Sequence, residues 1–167
     1  MSGIIYSWAL CDFVKRGELH LLLEMLSTLS AGLFTGAAIY INLVEHPARI
    51  ECGTSLAITE FAPSYRRAAV LQGALGALGF LIATAAWLMG SSFWWLIGGL
   101  VLLAVIPFTL VVIFPTNKQL LDPSLDKNSE LASQLLTRWG RLHAVRSVLG
   151  LISFLIFIFL LGRSARA

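Results

Sequence analysis

The chain has 167 residues, of which 57% are hydrophobic and only 13% are charged, and its mean hydropathy is +0.82. A soluble domain of this length cannot bury so much apolar surface, so the composition excludes a soluble globular protein. The net charge of +3 is small. In a membrane protein such a charge describes the orientation of the loops and does not indicate a nucleic-acid partner.

Three stretches without charged residues define the predicted membrane spans. Twenty uncharged residues separate Glu24 from Glu45, fifty separate Arg67 from Lys118, and sixteen follow Arg146. Because one span needs about 20 apolar residues, the stretch of fifty predicts two helices, joined at the "GSS" of residues 90–92. The sequence therefore predicts a single all-α domain over residues 1–167, an integral membrane antiparallel four-helix bundle. The four spans are predicted at about 21–44, 66–89, 93–114 and 140–162.

The residues before the first span begin with "MSGIIYSWAL". This stretch has no basic region and no cleavage site, which argues against a signal peptide. Tyr6 and Trp8 are of the residue types that favour the headgroup region of a bilayer. We therefore predict an interfacial N-terminal segment over residues 1–17.

The connections between the spans follow from an antiparallel arrangement. Both termini share one membrane face, and the connections predicted at residues 45–65 and 115–139 share the other, which we call the loop face. Within the second connection, "SELASQLL" predicts a short amphipathic helix capped by Asn128 or Ser129. Pro47 is predicted to end span 1, as Pro115 is to end span 3.

Basic residues predict the orientation in the membrane. Eight lysines and arginines lie near the loop face and four near the termini, so positive-inside counting places the loop face in the cytoplasm. This bias vanishes, at four against four, if Arg49, Arg66, Arg67 and Arg146 are site residues and not topology signals.

Span 3 contains a proline away from its ends. Pro107 is predicted to bend this span, because proline lacks the N–H that a continuous helix requires. Thr109 lies close enough along the chain to hydrogen-bond backbone groups that the bend releases.

Polar and aromatic side chains collect at the loop-face end of every predicted span. Because neighbouring helix axes in a bundle lie about 10 Å apart, the inward-facing members of this set can meet. Within span 4, Trp139, His143 and Arg146 are separated by four and three residues and share one helix face. The full set comprises Glu45, His46, Tyr65, Arg66, Thr116, Asn117, Trp139, His143 and Arg146.

Several of these residues also have simpler interpretations. Arg66, Arg138 and Arg141 are typical of basic flanks whose charges reach the membrane surface. Tyr65 and Trp139 are typical of the aromatic belt at the interface.

Three members of the set are harder to explain as flanks. Arg146 lies inside span 4, so we expect it to face the bundle and to pair with Glu45. Histidine is the residue type whose unperturbed pKa lies nearest to neutral pH, which makes His46 and His143 candidates for chemistry. Two facing histidines also suit haem or a metal ion. The spacings HxxxH, ExxH and CxxC are absent from the sequence, so no metal site is predicted.

Three sequence blocks carry a resemblance to a known family: "LSAGLFTGAAIYINLVEHPAR" from Leu29, "IPFTLVVIFPTNKQLL" from Ile106 and "WGRLHAVRSVLGL" from Trp139. They contain the motifs EHP, PTN and WxxxHxxR in this order. Together they resemble the anthrone oxygenase-like family of small integral membrane proteins, a domain-of-unknown-function family, over roughly residues 22–162. The resemblance implies a four-helix membrane protein. In the named members it implies oxidation of an anthrone to an anthraquinone by O₂ without flavin or haem.

This chemistry suggests roles for the matched residues. His143 or His46 is expected to act as the base, with Arg146 and Asn117 stabilising the anion that forms. Glu45 is expected to orient a histidine or to pair with Arg146. The residues expected to contact the substrate are Trp139, Tyr65, Arg66 and Thr116.

Three functional hypotheses follow. The first is a membrane oxygenase without a cofactor. The second is a non-enzymatic membrane protein that binds a lipid, quinone, haem or metal in the same pocket, and the third is a structural or assembly subunit. The expected partners are the lipid bilayer and a small apolar aromatic or lipid-like ligand, and no nucleic acid.

Overall fold

The structure is a computed structural model that describes residues 2–164, with side chains from residue 17 onward. In this range it is all-helical, with four helices long and apolar enough to cross a membrane. The predicted fold class is therefore confirmed. We call these helices spans 1 to 4: Gly17–Glu51, Thr54–Leu88, Phe93–Leu120 and Glu130–Ser164. The predicted interfacial contacts of Tyr6 and Trp8 fall outside the described side chains.

Two of the spans are composite helices. Span 1 consists of the end of α1 (Ser2–Tyr40), a π-helical segment (Ile41–Glu45) and α2 (His46–Glu51). Span 2 is α3 (Thr54–Leu88) and span 4 is α7 (Glu130–Ser164). Span 3 consists of α4 (Phe93–Leu103), α5 (Val105–Phe108), a second π-helical segment (Thr109–Ile113) and α6 (Phe114–Leu120).

The spans pack in a ring in chain order. Span 1 contacts spans 2 and 4, and span 3 contacts the same two, whereas contacts across the diagonals are few. Apolar side chains fill two clusters along the bundle. The cluster at the loop face centres on Phe61 and Trp139, and the other on Phe34, Trp95 and Phe157. The polar residues described below lie at the loop-face cluster.

The helices are longer than predicted, so the connections are shorter. Only Cys52 and Gly53 separate spans 1 and 2, and Gly53 has a φ of 94°, a left-handed conformation that favours glycine. The stretch "SELASQLL" forms the first turns of span 4, and the Ser129 hydroxyl caps that helix by accepting from the backbone N–H of Ala132 at 3.2 Å. Helices continue past the hydrocarbon core because the headgroup regions on each side admit charged side chains.

Neither Pro47 nor Pro115 ends its helix, which corrects the prediction. Each lies two residues after a π-helical segment, as the second residue of a further α-helical stretch. A proline lacks the N–H that would bond to the carbonyl four residues earlier, and local widening to a π-helix accommodates the missing bond. Around Pro107 the α-helix is interrupted at Ala104, and the Thr109 hydroxyl donates to the Val105 carbonyl at 2.7 Å.

Candidate functional site

Trp139 stands at the centre of the polar cluster and is 5% exposed. Its ring stacks on His143 at 4.8 Å between centroids, and it contacts His46 at 5.2 Å and the edge of Phe61 at 5.3 Å. Its indole N–H donates to Asn117 Oδ1 at 2.8 Å. One residue from each of the other three spans therefore meets this tryptophan from span 4.

His143 is held by Asn42, a residue that the sequence did not single out. Asn42 Nδ2 donates to the Gly140 carbonyl at 3.0 Å, which turns its Oδ1 toward His143 Nδ1 at 2.7 Å. The Ser147 hydroxyl donates to the same oxygen at 2.7 Å. Because an amide oxygen only accepts, this arrangement requires the proton of a neutral His143 on Nδ1. Nε2 then carries the lone pair, and it has no hydrogen-bond partner within residues 17–164.

Arg146 is buried and has a neutral partner. Its Nη2 donates to Gln72 Oε1 at 2.7 Å, and its guanidinium lies 5.8 Å from the centre of the Phe34 ring. Its Nε is buried without a partner. Among the described side chains, no carboxylate lies within ion-pair distance of Arg146. A buried, unneutralised guanidinium favours the binding of an anion.

The predicted pair between Arg146 and Glu45 is wrong. Glu45 pairs with Arg49, one turn further along the same span, and accepts from the Ser64 hydroxyl at 2.7 Å. Arg49 also pairs with Glu60 on span 2. Residues four apart on one helix are immediate neighbours, and for that reason Arg49 takes the carboxylate. We call Glu45, Arg49, Glu60 and Ser64 the ion-pair cluster.

The predicted contribution of Asn117 to anion binding is not supported by its position. Its Oδ1 holds the Trp139 indole, and its Nδ2 is buried without a partner. Thr116 is fully buried, and its hydroxyl also lacks a partner. Both residues lie outside the wall of the cavity described below, and Asn117 is connected to that wall through Trp139.

The two histidines differ in what they face. The His46 ring packs against the backbone of span 4, where a Cβ at Gly140 would lie 2.5 Å from His46 Nε2. His46 does not line the cavity, whereas His143 does. No three His, Cys, Asp or Glu side chains among residues 17–164 come together in a group that could hold a metal ion.

Tyr65 and Arg66 point in different directions. Tyr65 stacks on Phe61 at 5.7 Å and lines the cavity. Arg66 is exposed on the bundle surface and does not line the cavity, so its contact with a substrate stays a prediction. Successive residues of a helix point about 100° apart, so the two neighbours cannot both face the bundle interior.

The polar side chains enclose a cavity of about 20 Å³. This is room for a molecule of the size of water, which needs about 10–15 Å³. The lining residues are Ile41, Glu45, Arg49, Phe61, Ser64, Tyr65, Ala68, Ala69, Gln72, Trp139, His143 and Arg146.

The sequence analysis did not predict Asn42 and Gln72 as site residues. Both are isolated amide side chains within apolar spans, and a polar side chain in such a place favours a functional role.

We expect Asn42→Ala to change the tautomer of His143. Without the amide oxygen, Nδ1 loses the acceptor that holds its proton, so the neutral ring becomes a mixture of both tautomers. The measurement is the pair of ¹⁵N chemical shifts of His143 in selectively labelled protein. Asn117→Ala removes the amide that accepts from the Trp139 indole and is expected to leave the His143 shifts unchanged. An Nδ1–H tautomer that persists in Asn42→Ala would contradict the assignment.

Comparison with known protein families identifies the chain. A family model described as anthrone oxygenase matches residues 61–156, which is more than half of the chain. The matched range contains Tyr65, His143 and Arg146, whereas His46 precedes it. No curated protein and no solved structure that was compared with the chain matches it. The four apolar spans and the family match together show that this chain is a multi-pass membrane protein that belongs to the anthrone oxygenase family.

Proposed function

We propose that the protein is a membrane oxygenase that oxidises an apolar anthrone- or phenol-type substrate with O₂. The observation that carries the proposal is a single cavity wall that combines His143, with Nε2 free, and Arg146, with no carboxylate partner among the described residues. A base and an unneutralised cation together suit a reaction that turns a neutral substrate into an anion.

His143 is the proposed base. Asn42 fixes its proton on Nδ1, so Nε2 is the nitrogen that accepts a proton from the substrate. The methylene group of an anthrone is acidic enough for a neutral imidazole to deprotonate it. Trp139, stacked on His143, and Tyr65 supply flat aromatic surfaces for the rings of a planar substrate.

The anion itself supplies the electrons for the reaction with O₂. One electron passes from the anion to O₂, and the resulting radical and superoxide join through a new C–O bond to give a peroxide anion. This anion takes the proton back from His143. Loss of the second methylene proton and cleavage of the O–O bond then give the quinone and one water. One O₂ is consumed for each substrate, and no redox cofactor takes part.

Arg146 is the proposed stabiliser of the negative charge. The charge appears first on the substrate oxygen and then on superoxide and peroxide. A preorganised guanidinium in a site without bulk water stabilises such charges strongly. Gln72, which accepts from Arg146 Nη2, holds the guanidinium without neutralising it.

The membrane setting fits an apolar substrate that arrives through the bilayer. The polar cluster lies at the loop-face end of the spans. That this face is the cytoplasmic one stays a prediction from the count of basic residues.

The test is O₂ uptake by purified protein in lipid nanodiscs supplied with an anthrone. The expected result is protein-dependent consumption of one O₂ per anthraquinone formed, with no formation under argon. Protein-dependent binding of the anthrone without faster O₂ uptake than in empty nanodiscs would contradict the oxygenase and favour the non-enzymatic binding protein. A Soret band or stoichiometric metal in the purified sample would show that a haem or a metal ion occupies the protein.

A further inference from the structure

A groove on the outer surface of the bundle adjoins the buried cavity. It lies between spans 1 and 2 and has a volume of about 320 Å³. Glu45 and Arg49 line both the groove and the cavity. These two side chains are therefore the partition between the surface of the bundle and the space beside His143.

The two volumes suit different molecules. The cavity of about 20 Å³ holds a molecule as small as O₂ or water and cannot hold a fused-ring aromatic. The groove falls within the range of small-molecule sites, which is about 300–1,000 Å³. An aromatic substrate can therefore reach His143 from the groove only if the partition moves.

The walls of the groove combine apolar surface with hydrogen-bond acceptors. Tyr40, Val44 and Leu56 are each at least half exposed on the rim. The floor carries Glu45 and Glu60 with Arg49 between them, so its formal charge is −1. Carboxylates accept from phenolic O–H groups and repel anionic ligands. The chemistry of the groove favours a neutral, planar, hydroxylated aromatic.

We propose that this groove is the binding site through which a neutral hydroxylated aromatic enters, and that the ion-pair cluster is its gate. The proposal rests on the proposed function for the identity of the ligand. The gate opens when Arg49 leaves Glu45 and Glu60, which requires only side-chain rotation, since every contact in the cluster joins two side chains. The substrate then spans the groove and the enlarged cavity, with its reacting carbon toward His143.

Cys52 supplies a direct test, because it is exposed and lines the groove. The chain has one other cysteine, Cys11, which is replaced by serine so that only Cys52 reacts. In this Cys11→Ser background, the rate of Cys52 alkylation by a maleimide is measured with and without a dihydroxyanthraquinone. This probe has no methylene proton and cannot turn over. We expect the probe to slow alkylation of Cys52. In a Cys11→Ser/Cys52→Ser background, Val70→Cys on the lipid-facing surface of span 2 is the matched control and is expected to react at the same rate with and without the probe.

Ala48→Phe tests the same groove by filling it. Ala48 is exposed on the groove wall, so a larger side chain fits there without disturbing the core. We expect about tenfold more probe to be needed for the same protection of Cys52. Val70→Phe is expected to leave the protection unchanged. Absent protection in the wild type, equal protection of Val70→Cys, or full protection in Ala48→Phe would each overturn the proposal.

The anthrone oxidation assay on the same variants separates the two proposals. Protection of Cys52 that Ala48→Phe weakens, in a protein without O₂ uptake, would overturn the oxygenase and support the groove. O₂ uptake that Ala48→Phe leaves unchanged would support the oxygenase and overturn the groove as its entrance.

Discussion

His143→Ala is expected to lower kcat about 100-fold or more, because a positioned general base typically contributes about 10²–10⁴ in rate. The variant removes the only imidazole among the described residues of the cavity wall. The measurement is steady-state O₂ consumption at saturating anthrone. Substrate deuterated at the methylene carbon is expected to show a larger isotope effect in the variant, because proton removal becomes the slow step.

Two other histidines serve as controls for this prediction. His20 lies at the opposite end of span 1, beside the turn at Gly90, and His20→Ala is expected to keep wild-type kcat. His46→Ala is expected to cost less than His143→Ala, because His46 packs against span 4 and does not line the cavity. Added imidazole is expected to restore part of the activity of His143→Ala alone. An unchanged kcat in His143→Ala, or an equal loss in His20→Ala, would exclude His143 as the base.

The meeting of distant residues at the loop face was predictable from the chain. Counting spans places the ends of spans 1 and 3 beside the starts of spans 2 and 4, and helical spacing puts Trp139, His143 and Arg146 on one face. In the structure His46 and Asn117 both contact Trp139. This part of the site depends only on the number of spans and on the spacing of residues along a helix, and both can be read from the sequence.

The individual partners were not predictable in the same way. The π-helical segments before Pro47 and Pro115 rotate the residues that follow them, and a sequence read with a 3.6-residue period misplaces those side chains. Asn42 lies within the first of these segments, so its aim toward His143 depends on that local widening. Glu45 pairs with Arg49 because Arg49 lies nearer to its carboxylate than Arg146 does. The sequence offers both arginines as partners, and only the packing of the bundle determines which of them is the nearer.

The span boundaries show a related limit. Charge-free stretches mark the hydrocarbon core, and they predicted span 2 to begin near residue 66, whereas the helix begins at Thr54. The residues between carry Glu60, Tyr65 and Arg66, which are polar or charged yet helical. Hydropathy reports where a helix contacts lipid and says nothing of where its backbone hydrogen bonds end.

Removal of the Arg146 charge is expected to lower activity without lowering the stability of the bundle, provided that its partner Gln72 is changed as well. Arg146→Met removes the cation that faces the developing anion, and loss of one such donor typically costs about 10²–10³ in rate. The same change removes a buried charge whose partner is neutral. Replacement of buried ionic groups by apolar ones of similar volume is neutral or stabilising by about 1–4 kcal/mol. Because the cation that faces the developing anion is lost, we expect the kcat/KM of Arg146→Met to fall steeply.

Gln72 has to change together with Arg146 for the stability to be interpreted. Arg146→Met alone leaves Gln72 Oε1 buried without its donor, which costs about 1–3 kcal/mol. The double variant Arg146→Met/Gln72→Leu removes both partners and is expected to melt at or above the wild-type Tm, with activity as low as that of Arg146→Met. Gln72→Leu alone leaves the guanidinium with no described partner and is expected to melt lower.

The double variant decides between a structural and a functional arginine. Thermal unfolding in detergent, followed by intrinsic fluorescence, gives Tm, and the anthrone assay on the same samples gives kcat/KM. If Arg146 is needed for stability, the double variant melts well below the wild type. If Arg146 has no role in the reaction, kcat/KM is unchanged. A protein that keeps its Tm and loses its activity would show that the buried charge is held in place, against the stability of the bundle, for an anion that forms beside His143.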